Sequence, residues 1–121
     1  VATTDLDATL ITVRNAGIDP GQPVSMSRGD LHWRLALRPD GSLACDGVFP
    51  ILIEWPEGVN PVSRMQDQGL RLTRLHLMHP EVARISTAFQ ALGMAGPVCL
   101  SQGAAALQAE MCVADRQFHL K

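Results

Sequence analysis

Apolar residues along this chain switch between two rhythms, and the switches divide it into recurring pieces. Leu6, Leu10, Val13 and Gly17 fall at helical spacing. Thr4 ahead of them, with Asp7 three residues on, matches a capping box, and Gly17 suits a left-handed helix stop. From Leu31 to Arg38 the period drops to two: Leu31, Trp33, Leu35 and Leu37 point one way, His32, Arg34 and Arg38 the other. Turns are predicted at Pro39 to Ser42 and at Asp46-Gly47, and Phe49 to Trp55 predicts an apolar strand carrying one carboxylate, Glu54.

The second half repeats the scheme. Leu70 to Met78 predicts a strand, and Pro80 fits the first position of a helix with the stripe Val82, Ile85, Phe89 and Leu92, ended by Gly93. Leu107, Ala109, Met111 and Val113 then alternate with Gln108, Glu110 and Cys112, and Phe118 and Leu120 flank His119. The likeness extends to the residues themselves. Pro23 to Gly29 reappears as Pro97 to Gly103 with four identities in seven, and Leu6 to Ile18 lines up with Val82 to Met94. A repeat of this length marks a duplicated supersecondary unit, with the bound molecule expected between the copies. Pro56 to Gln68, rich in Pro, Gly, Asn, Asp and Gln, reads as the linker. By its place at the end of its copy, His119 corresponds to Glu54.

Bulk numbers narrow the function classes. A chain of 121 residues with 46% hydrophobic and 18% charged residues can bury a core as one domain. A net charge of −2 gives no electrostatic reason to expect a nucleic acid or an anionic membrane surface as partner. Val48 to Ile53, the longest strongly apolar run, is interrupted by Pro50 and too short to cross a bilayer. No charged-then-apolar leader opens the sequence. Cys45, Cys99 and Cys112 lack CxxC spacing and one must stay unpaired, so reduced thiols and a cytoplasmic location are expected.

A duplicated unit of strand, helix and three strands resembles the vicinal oxygen chelate superfamily. Within it, the chain is similar to the C-terminal portion of a glyoxalase-like domain protein. The residues that carry the resemblance are Thr3 to Ala8, Asp30 to Leu35, Gly47 to Trp55, Gly69 to Leu72 and His79-Pro80. The fold it implies is α+β: two βαβββ units forming a curved mixed sheet with helices on the convex side, the first unit lacking most of its first strand. The chain then divides into a first unit at 1–57, a linker at 58–68 and a second unit at 69–121, together one glyoxalase-like domain.

Metal-dependent members of the superfamily hold a divalent metal in the cup, with ligands from the first and last strand of each unit. Carried over, the late positions are Glu54 and His119. The early position of the second unit falls near Arg74, with His76 two residues on. A guanidinium repels a cation and has no lone pair to give, and two ligands fall short of the three a catalytic site needs.

Alternation places His32, Arg34, Glu54, Arg74, His76, Gln108, Glu110 and His119 together on the sheet face opposite the helices. From that face we expect a pocket for a small polar or anionic molecule, with Arg34, Arg74, His32, His76 and Glu110 as binding residues. Glu54 is the candidate catalytic residue, as acid/base or metal ligand, and an ion pair with Arg34 or Arg74 is the structural alternative. If the domain is catalytic, the resemblance implies metal-assisted lyase, isomerase or dioxygenase-type chemistry. The alternatives are a module that sequesters a ligand without chemistry, and an assembly domain that pairs through a sheet edge as a homodimer.

Overall fold

Two helices and eight strands follow one another in the computed structural model, which describes residues 1–94 and 96–121. In the first half, β1 (Ala2–Thr3) leads into α1 (Leu6–Asn15), then β2 (Gln22–Arg28), β3 (Leu31–Leu37) and β4 (Ile53–Glu54). In the second, β5 (Leu70–Met78) leads into α2 (Val82–Ala91), then β6 (Val98–Ser101), β7 (Ala106–Val113) and β8 (Arg116–Leu120). The architecture is α+β, with the βαβββ order twice over and a first strand of only two residues in the first unit.

The strands form two four-stranded mixed sheets, ordered β1-β4-β3-β2 and β6-β5-β7-β8. The two orders are not equivalent. In the first sheet β2 pairs only with β3, whereas its repeat counterpart β6 pairs parallel with β5. β5 lies between β6 and β7, whereas β1 borders β4 alone. The matching segments 23–29 and 97–103 therefore both supply strands but take different neighbours.

Local signals shift by a residue or two. Asp5, not Thr4, caps α1, its side chain accepting the Ala8 amide at 2.9 Å, while Thr3 bonds Thr9. Glu81 rather than Pro80 stands at the start of α2. Gly17 and Gly93 both take positive φ just past the helix ends, as their placement predicts. Phe49 to Trp55 is a strand only at Ile53–Glu54; Pro50 cannot donate to a ladder, and Phe49 and Leu52 turn into the core instead.

One core joins the two halves. Leu6, Leu10 and Val13 of α1 pack with Ile85, Ala88 and Phe89 of α2, and with Ala36, Leu52 and Leu77. The Phe49 and Phe89 rings meet at 5.8 Å, tying the first unit to the second. Ala36 decides the facing of the first sheet. Its small side chain, 3% exposed, lets α1 lie close, so the β3 residues that alternate with it, His32 and Arg34, stand on the α1 side.

Candidate functional site

The expected eight-residue face is corrected here, because the structure divides it in two. Arg34 and Glu54, opposed in the β3·β4 register, lie on the helix-covered side of the first sheet, not on the side opposite the helices. The apolar row Leu31, Trp33, Leu35 and Leu37 occupies the other side and is only partly buried. In the second sheet the expectation agrees with the structure: Leu75 and Leu77 face the core, and His76, with its register partners Gln108 and Cys99, faces away from α2. Arg74, Glu110 and His119 share that face through the Arg74↔Glu110 and Glu110↔His119 pairs. Among the described residues, no hydrogen bond or ion pair links one group to the other.

In the first group Glu54 is fully engaged. Arg34 donates from Nε to Oε1 at 3.0 Å and from Nη2 to Oε2 at 3.1 Å, and the Leu6 amide at the start of α1 donates to Oε2 at 2.6 Å. These bonds, Arg34 first, hold the Glu54 carboxyl below the usual glutamate range. Arg34 also reaches Asp7 at 3.0 Å, so two carboxylates share its one charge. Because β4 stops at Glu54, the Leu31–Trp33 end of β3 has no partner on that side. A cleft of about 390 Å³ lies there, lined by Ser25, Met26, His32, Trp33, Arg34, Glu54 and Pro56. Trp33 leans on Trp55 with ring centroids 5.2 Å apart.

In the second group His76 Nε2 and Glu110 Oε1 stand 2.7 Å apart, both side chains roughly three-quarters to two-thirds buried. Hydrogen bonding to His76, with Arg74 and His119 nearby, pulls the Glu110 carboxyl below its ordinary range. Gln108 Nε2 reaches His119 Nδ1 at 3.4 Å. The Arg74 side chain, exposed on this face, makes no hydrogen bond among the described residues, so its guanidinium is open to a ligand.

Divalent metal binding, which the superfamily resemblance implies, finds a poor donor set here. Glu54 and His119 stand in different sheets, and both Glu54 oxygens already accept hydrogen bonds. Among the described residues no group of three or more His, Cys, Asp or Glu is placed to hold an ion.

The turn expected at Asp46-Gly47 takes a conformation, and makes a contact with His79, that the sequence does not foretell. His79, 5% exposed, accepts the Glu81 amide on Nδ1 at 3.0 Å and sets Nε2 3.4 Å from Asp46. Asp46 reaches it from a left-handed turn that it shares with Cys45, with φ of 53° and 51°. Asp tolerates that region through its short polar side chain, whereas for Cys45 it is an uncommon conformation.

Comparison with known proteins agrees with this architecture. No curated protein and no solved structure matches the chain. No helix among the described residues is long and apolar enough to cross a membrane. Residues 1–93 match the family described as a glyoxalase-like domain, more than three-quarters of the sequence. The chain belongs to the glyoxalase-like domain family.

Proposed function

We propose that this glyoxalase-like chain binds a small anionic molecule on the face of the second sheet away from α2, with Arg74 as the anchor. The observation that carries this reading is the difference between the two arginines. Arg34 is neutralised by Glu54 and Asp7, whereas Arg74 is free of hydrogen-bonded partners among the described residues and sits beside His76 and His119. A guanidinium with its fork unfilled takes a carboxylate in two parallel hydrogen bonds. His76 can exchange a proton with the ligand, and Glu110 holds its ring in place. Glu54, saturated and held ionised, suits a structural role better than that of general base.

A second reading rests on the 390 Å³ cleft. Trp33, Met26 and Pro56 form an apolar wall beside His32 and the Arg34–Glu54 pair, a combination suited to an uncharged polar molecule held without chemistry. That is the sequestering alternative. The free thiols Cys45, Cys99 and Cys112 support a reducing, cytoplasmic setting, and the shared core supports treating units 1–57 and 69–121 as one domain.

Malonate titrated into the chain, followed by amide and arginine side-chain NMR shifts, separates the readings. Shifts at Arg74, His76 and His119, with affinity lost at least tenfold in Arg74→Ala, are expected. Shifts confined to His32, Trp33 and Arg34, or none, would refute the anion reading.

A further inference from the structure

Natural proteins blunt a free sheet edge with shortness, proline, a bulge or charge. Two of the edges here follow that practice: β6 has four residues and follows Pro97, and β8 carries Arg116 and His119. β2 confines its proline and its charge to its ends, at Pro23 and Arg28. Its seven residues are all exposed, and it pairs with β3 in seven consecutive positions without a bulge. From Val24 to Ser27 it contains neither proline nor charge.

The side chains of β2 add to this. On the sheet face away from α1, Val24 and Met26 are 37% and 40% exposed, and they lie opposite Leu35 and Trp33. Apolar surface thus runs up to the open edge and stops there.

We propose that β2 pairs antiparallel with β2 of a second copy of this chain, about a two-fold axis through Ser25. A two-fold contact must be compatible with itself, and this strand is. Turning it about Ser25 sets Val24 against Met26 of the second copy, Ser25 against its own counterpart, Pro23 against Ser27 and Gln22 against Arg28. Apolar side chains meet apolar ones, and no like charges are opposed. An unrelated strand would need to reproduce that match, whereas a second copy supplies it by symmetry. The two first sheets become one of eight strands, with the apolar rows of both copies continuous. The pairing uses the β2 edge rather than the short β1 edge and is independent of the ligand reading, which concerns the second sheet.

Light scattering on the chain across a wide concentration range, joined to a disulfide trap, tests the pairing. Twice the chain mass of 13.1 kDa is expected, falling to the single-chain mass in Val24→Lys. Under mild oxidation Ser25→Cys should link to its counterpart, identified by peptide mapping. Ser27→Cys should not, because its counterparts stand about 13 Å apart along the strands, beyond disulfide reach. A single-chain mass at every concentration, a Val24→Lys chain that still dimerises, or linking through position 27 as fast as through position 25 would overturn the proposal.

Discussion

Arg34 and Glu54 face each other across β3 and β4 as a two-pronged ion pair, at 3.0 and 3.1 Å, and the same carboxylate caps the amide that opens α1. The pair fastens the start of α1 to the sheet through the Leu6 amide and Asp7. Glu54→Ala removes three charge-assisted bonds at a partly exposed site, so a loss of about 1 kcal/mol is expected. Urea unfolding of the variant against the parent measures it. A variant as stable as the parent would return Glu54 to the list of functional candidates.

The same pair fixes a pH dependence. Because the folded Glu54 carboxyl titrates below its usual value near 4.5, the unfolded chain takes up that proton first. Its contribution is therefore complete above that value and lost as pH falls through the folded one. The stability gap between the parent and Glu54→Gln should be constant from pH 7 down to about 5 and shrink below. A gap that widens with acid would mean the carboxyl is raised, not lowered.

Gly21 is the glycine this fold cannot replace. Its φ is 96°, and a Cβ there would fall on the Leu37 carbonyl and the Arg38 amide, which are backbone and cannot swing aside. Gly21→Ala is expected to cost about 4 kcal/mol or to prevent folding. Gly41, with φ 75° but open space around it, should cost only about 1–2 kcal/mol when changed to Ala. Thermal melts of the two variants side by side give the comparison.

His79 is expected to matter through its Nδ1 atom. That nitrogen accepts the Glu81 amide, which assigns the ring proton of the neutral side chain to Nε2, toward Asp46. His79→Leu leaves the amide without its partner and should cost about 1–2 kcal/mol, with faster hydrogen exchange in the first turn of α2. Asp46→Ala, at an exposed carboxylate, should leave that exchange nearly unchanged.

At the second sheet Glu110 partly offsets the charge of Arg74. Glu110→Gln should tighten malonate binding a few-fold, opposite in sign to Arg74→Ala. Calorimetric titration of the two variants reads both signs. Weaker binding in both would assign Glu110 to positioning His76 rather than to balancing charge.

Much of this molecule was legible because period and composition act locally. Spacing of 3.6 identified both helices through Leu6, Leu10 and Val13 and through Ile85 and Phe89, all now in the core. Alternation identified β3, β5, β7 and β8, and with them the groups that share a face. The strand expected over Phe49 to Trp55 shrank to two residues because an apolar run records only burial, which an irregular segment also provides.

Alternation along β3 sorts Arg34 and Ala36 from Trp33 and Leu35, and it is silent on which set meets a helix. The larger apolar row looked like the packed one. The sequence by itself determined the elements, their order and the two sides of each strand, since these follow from neighbours a few residues apart. Only the tertiary structure decided that α1 rests on Ala36, and so turned Arg34 and Glu54 toward the helix and left Arg74 and His76 on the opposite kind of face. That choice depends on how closely a helix can approach a sheet, a matter of side-chain volume between segments distant in the chain.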